Sequence, residues 1–219
     1  HRQVAGGLAR AAVFGMSDGL TSNVLLVIGF AGSGVDASVV RLAGVAGAVA
    51  GAISMAAGEW ISISAQNELV IRELEVERRE LGRNAEAEQR ELAGMYRDHG
   101  MQDATAEQAA IDVMRDPERA LKVHVREELG VDPHDLPSAW KAAALSFLCF
   151  VAGAVLPVIP WFGGAGNGAA VASVLIGIAA AAGLGFSIGQ FAEKNRLWSA
   201  ARQVLILLVA CVATYAIGK

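Results

Sequence analysis

The stretch Glu73-Leu-Glu-Val-Glu77-Arg-Arg-Glu80-Leu-Gly-Arg-Asn-Ala-Glu-Ala-Glu88-Gln-Arg-Glu91 separates two apolar blocks of the chain. Read as an α-helix at about 100° per residue, it places Glu73, Glu77, Glu80, Glu88 and Glu91 within an arc of roughly 80°. Glu68, Glu75 and Glu86 fall on the opposite face. Like charges three and four residues apart repel by about 0.2–0.5 kcal/mol per pair. A stripe this dense is unfavourable alone, and bound cations would relieve it. The competing reading is a solvated acidic face neutralised by Arg78, Arg79, Arg83, Arg90 and Arg126.

Working outward, the composition changes abruptly. Residues 66–137 hold 18 of the 22 acids and 10 of the 18 bases, a local net charge of −8 in a chain whose total is −4. Overall 54% of the 219 residues are hydrophobic and 18% charged. Charge is therefore nearly absent outside the insert, as in two membrane blocks flanking one polar domain. Five segments, near 11–31, 39–61, 140–159, 168–191 and 202–217, are long and apolar enough to cross about 30 Å of hydrocarbon. The expected class is an all-α polytopic membrane protein with five transmembrane helices and a cytoplasmic three-helix insert. Its expected domains are 1–65, 66–137 and 138–219.

Lys and Arg orient the spans. With the insert in the cytoplasm, only Arg41 and Lys219 of the 18 bases lie outside. The uncharged run Pro157-Val-Ile-Pro-Trp-Phe-Gly-Gly-Ala-Gly-Asn then reads as an external loop. The first span is not expected to be a cleaved signal peptide, because it contains Asp18 and exceeds a usual apolar core. Cys149 and Cys211 sit in apolar spans without metal spacing, and no disulfide is expected.

The insert reads as three helices. The first continues the second span to about Asp98, with Gly82 as a weak point. The second is capped at Thr105, with Gln108 completing a capping box. The third starts at Asp116-Pro117 and stops at Gly130. In the spans, Gly47 and Gly51 form a GxxxG, and Gly177, Ala181, Gly185 and Gly189 share one face. Such faces let backbones approach closely, within one chain or across a dimer seam.

Three span residues could carry chemistry. Asp18 lies roughly 13 Å along the first helix, where a carboxylate costs several kcal/mol unless paired, hydrated or protonated. Met55 and Glu59 share a face near the inner end of the second helix, with Met55 near Asp18 in depth. A carboxylate with a thioether suits a borderline transition ion better than Mg²⁺ or Ca²⁺. In the insert, His124 and Glu128 lie four residues apart and could complete a site begun by the glutamate stripe. Carboxylates with one imidazole suit Fe²⁺ or Mn²⁺ and would accept Zn²⁺. Neither a nucleotide fingerprint nor a nucleophile elbow occurs, and neither catalysis nor a nucleic-acid partner is expected.

Together these residues resemble the vacuolar iron transporter family. The resemblance rests on Arg10-Ala-Ala-Val-Phe-Gly-Met-Ser-Asp-Gly-Leu-Thr-Ser-Asn, on Gly51-Ala-Ile-Ser-Met-Ala-Ala-Gly-Glu-Trp-Ile-Ser, on the Glu-rich insert, and on Arg126-Glu-Glu-Leu-Gly. The Gly58-Glu-Trp form looks like bacterial members, some of which carry a ferritin-like domain ahead of the transporter. The resemblance implies a homodimer in a lipid bilayer, here the bacterial inner membrane, that exchanges Fe²⁺ and often Mn²⁺ for protons. It implies an ion path through Asp18 and Met55. It implies cytoplasmic metal ligands at Glu77, Glu80, Glu88, Glu91 and Glu128. Plant-type members have a Glu where this chain has Gly47, and Glu59 is a candidate substitute. They have a Met pair where this chain has His124 and Val125, which makes the insert site harder. The expected function is proton-coupled export of Fe²⁺; the alternative is a membrane-anchored metal-binding or sensor module without transport.

Overall fold

A computed structural model describes residues 7–132 and 135–218. Every regular element among them is helical: α1 Gly7–Gly32, α2 Ala37–Arg83, α3 Ala85–Asp98, α4 Asp103–Met114, α5 Pro117–Leu129, α6 Ala139–Val155, a 3₁₀ turn Leu156–Val158, α7 Pro160–Gly163, α8 Gly166–Phe191 and α9 Arg196–Gly218. Five stretches have the length and apolarity to cross a membrane, carried by α1, the apolar part of α2, α6 with its continuation to Gly163, α8 and α9. The last begins at Arg196, earlier than its apolar run alone suggests. The protein is an all-helical integral membrane protein.

The chain divides into two compact units, one of residues 1–61 with 139–219 and one of residues 62–138. In the apolar unit, α1 and α6 touch backbone to backbone. A Cβ at Gly19 would collide with the Phe150 carbonyl, and one at Gly153 with the Met16 carbonyl. Ala48 and Ala52 of α2 pack on Phe150 and Ala154 of α6. Leu20, Val24 and Ile28 of α1 meet Ala181 of α8 and Leu207 of α9. The small-residue face of α8 lies against α9 of the same chain, since Cβ atoms at Gly185 and Gly189 would press on the backbone of Ser199, Ala200 and Arg196. Gly51 faces the Phe150 ring. The small faces thus serve packing inside the chain.

The run after Pro157 is not a plain loop. Trp161 of α7 is 2% exposed. Its indole nitrogen donates to Ser173 Oγ at 2.9 Å, and its carbonyl accepts from Arg41 at 2.9 Å. An aromatic ring too large to leave in water folds this segment back onto α8.

In the polar unit, the single helix expected to run to Asp98 is broken. α2 ends at Arg83, and Asn84, at φ −135° and ψ 42°, starts α3. The break lets the glutamates of α2 and α3 leave a common stripe. It also lets α3 bury Leu92 and Ala93 against Ala110 of α4 and Val123 of α5. A second correction concerns the start of α4. Its N-cap is Gln102, so Thr105 lies inside the helix. Thr105 and Ala106 donate to the Gln102 carbonyl, an earlier start than a hydroxyl cap at 105 would set. α5 follows its sequence signals: Asp116 accepts from the amides of Glu118 and Arg119, and Gly130 ends the helix at φ 67°.

Candidate metal centre and membrane cavity

In the polar unit three potential ligands converge. Glu77 comes from α2, and His124 and Glu128 from successive turns of α5. Their ligand atoms all lie within 4.8 Å of one another. His124 is 0% exposed and Glu77 5%. The imidazole Nδ1 lies 3.1 Å from Glu77 Oε1 and 3.8 Å from Glu88 Oε2. Yet neither ring nitrogen of His124, nor Glu77 Oε1, makes a hydrogen bond among the described residues. A buried polar atom left unpaired costs about 1–3 kcal/mol. One imidazole nitrogen, facing Glu77 Oε1 at 3.1 Å, suits a metal ion together with that carboxylate; a single ion takes only one of the two ring nitrogens. Two ligands at about 2.1 Å from one ion lie at most about 4.2 Å apart, close to the 4.8 Å within which the three groups already lie.

The electrostatics agree with that chemistry. Burial pushes the Glu77 carboxyl up to about 7, and the charges of Glu128, Glu88, Glu80 and Glu91 push the same way. Burial, then Glu91 and Glu80, raise Glu88. Burial, then Glu91, Glu88, Glu80 and Glu73, raise Glu128. Burial lowers His124, against an opposing pull from Glu91. The result is an imidazole biased towards its neutral form beside a Glu77 carboxyl that keeps its proton up to about pH 7, and a cation could replace that proton. Of the expected ligands, Glu77, His124 and Glu128 form the triad, and Glu88 stands beside it. Glu80 and Glu91 are outside it and act through their charge.

In the apolar unit a cavity of about 390 Å³ opens between α1, α2 and α6. Asp18 and Met55 both line it, with Ser22, Asn23, Ser54 and Phe150. Two residues expected at similar depth on different helices therefore share one space. Glu59 is not among the lining residues; its carboxylate meets Arg10 at 3.1 Å. Ser22 Oγ donates to the Asp18 carbonyl at 2.6 Å, so the Asp18 side chain is not what holds that turn. Asn23 is a lining residue that no spacing argument picks out. The signal for it is its type, since an amide within a membrane span needs partners.

A model of the VIT family matches residues 9–219. The chain is similar to vacuolar iron transporter 1 of Eucalyptus grandis, at 30% identity over 216 residues that cover 98% of this chain and 87% of that protein. It is similar to vacuolar iron transporter 1 of Arabidopsis thaliana at 29% identity, covering 98% of this chain and 86% of that protein. A vacuolar iron transporter of Centaurea cyanus is 28% identical over 220 residues, covering all of this chain and 90% of that protein. The match runs through both units, from the helix bearing Asp18 to the end of α9, and the chain belongs to the VIT family.

Proposed function

We propose that this protein exports Fe²⁺, and also Mn²⁺, from the cytoplasm in exchange for protons. In this reading it is a homodimer in a bacterial inner membrane, with residues 66–137 on the cytoplasmic side. The observation that carries the reading is the cavity shared by Asp18 and Met55. A carboxylate supplies charge to an ion leaving water, and a thioether favours transition ions over Mg²⁺. The names of the similar proteins support iron as the cargo. The distribution of Lys and Arg supports the orientation.

The triad of Glu77, His124 and Glu128 takes the ion first, releasing protons as it binds. Its imidazole and carboxylates accept Fe²⁺, Mn²⁺ and Zn²⁺. Asp18 and Met55 then hold the ion in transit, and Asp18 exchanges it for a proton. Glu59, beside Arg10, is a second carboxylate for that exchange. A metal-binding or sensor module would need the triad but not the cavity carboxylate.

Proteoliposomes decide between the two. Vesicles containing the protein should take up Fe²⁺ only under an imposed pH gradient. Asp18→Asn should abolish uptake in a protein that still purifies intact, and Met55→Leu should lower uptake with packing preserved. Metal binding without gradient-driven flux would establish the sensor reading instead.

A further inference from the structure

The cavity has a second polar end. By the helical rise, Gly47 lies about 12 Å along α2 from Met55, and both residues line the cavity. At the Gly47 level stands Asn23 of α1, 2% exposed. Its Nδ2 donates to the carbonyl of Gly44 at 3.0 Å and to that of Ala154. Two carbonyl acceptors on one side fix the amide, because the nitrogen must face them and the oxygen must face away. That oxygen, Oδ1, is buried and has no hydrogen-bond partner among the described residues. It lies 3.0 Å from where a Cβ on Gly47 would be. The missing side chain at Gly47 brings only the flexible end of Leu26 and this unused acceptor together at the cavity wall, Leu26 Cδ2 lying 2.5 Å from the same Cβ position.

An amide carbonyl held in this way is a neutral, hard oxygen donor. The backbone carbonyls that hold it come from α2 and α6, so its position is set by three helices rather than by its own rotamer. Asn23 follows Asp18 by five residues, about 7.5 Å along α1. The two side chains therefore stand at different depths of the cavity, as successive stations would.

We propose that Asn23 Oδ1 is a cation ligand of the transport path, a second station beyond the one formed by Asp18 and Met55. This rests on the transport reading above. A neutral oxygen there holds a divalent ion less tightly than a carboxylate would and so lets it leave. It also favours harder ions such as Mn²⁺ over softer ones such as Zn²⁺.

The test uses full-length protein in proteoliposomes, with Fe²⁺ as cargo and Mn²⁺ or Zn²⁺ as competitor. Asn23→Ala removes the ligand but also two structural hydrogen bonds. Gly47→Ala keeps those bonds and sets a methyl group against Oδ1; the Leu26 side chain it meets can shift. In either variant that folds, the apparent KM for Fe²⁺ should rise by at least about tenfold, and Mn²⁺ should lose more of its competing power than Zn²⁺. If Asn23→Ala does not fold, Gly47→Ala decides. A Gly47→Ala protein with wild-type KM and ion preference would overturn the proposal while leaving transport intact, and so would a lower maximal rate with KM and preference unchanged. Absence of uptake by the unaltered protein would overturn the transport reading, and this inference with it.

Discussion

In the proposed metal centre, Glu77 is the carboxyl whose proton an ion would displace. Burial and the charges around it, from Glu128, Glu88, Glu80 and Glu91, hold its pKa up to about 7. A raised carboxyl pKa means the folded protein binds more protons than the unfolded chain between 4.5 and about 7. Its stabilising effect is complete at the acid end and is lost as pH rises through about 7. Glu88 and Glu128 act in the same direction. His124 acts the other way: its lowered pKa favours the folded state above 6.5 and costs stability as pH falls. Metal binding reverses the balance, because the ion needs all these groups deprotonated. The affinity of the protein for Mn²⁺ should therefore fall by at least about tenfold per pH unit below pH 7, the Glu77 proton alone giving that slope. Glu77→Gln should weaken binding and flatten that slope. Titration calorimetry at several pH values measures both, and an affinity independent of pH would mean the triad holds no ion.

At the scale of elements, close approach of α1 to α6 sets the shape of the cavity. The Cβ that Gly19→Ala adds meets the Phe150 carbonyl, a backbone group that cannot rotate away. The two helices must separate, at a cost of about 1–3 kcal/mol. Gly183 of α8 has open space around its Cβ position. Gly183→Ala should stabilise its helix by about 0.5–1 kcal/mol. Thermal unfolding in detergent distinguishes the two, and equal midpoints would show that α1 and α6 are not held by this contact. The break at Asn84 works at the same scale. A continuous helix would leave Glu88 on a solvent stripe with Glu77, whereas the turn into α3 brings its carboxylate within 3.8 Å of His124.

For the whole molecule, the proposed function divides between the two compact units: ion capture in one and passage in the other. Changing Glu77, Glu80, Glu88 and Glu91 together to Gln should remove metal binding by residues 66–137 and raise the apparent KM for Fe²⁺. The maximal rate at saturating ion should remain. Asp18→Asn should do the reverse, ending flux with Mn²⁺ binding to the acidic unit retained. Flux and calorimetry on the same two preparations measure this. If the fourfold variant bound metal as well as the unaltered protein, the glutamates would be a solvated face only.

Local patterns were enough for much of this. The five apolar runs, the Asp116-Pro117 start and Gly130 stop of α5, and the pairing of His124 with Glu128 on one helix face all follow from periodicity and capping, which act over a few residues. The family resemblance implies roles for Asp18, Met55 and Glu77. What lay beyond reach depends on contacts distant in the chain. The turn at Asn84 needs the burial of Leu92 against α4 and α5 to be favourable. Trp161 folds inward because Ser173, 12 residues on, accepts its indole hydrogen. Glu80 shares the helical arc of Glu77 but stands outside the triad, because His124 arrives from another helix and only Glu77 meets it at 3.1 Å. Asn23 is the plainest case: its type marks it as costly in a membrane, but only the carbonyls of Gly44 and Ala154, 21 and 131 residues away, decide which way its oxygen points. Sequence determines which segments enter the membrane and which residues could bind an ion, since hydropathy and ligand type are local. Tertiary packing decides which of those residues meet, since that depends on how closely helices approach and where they break.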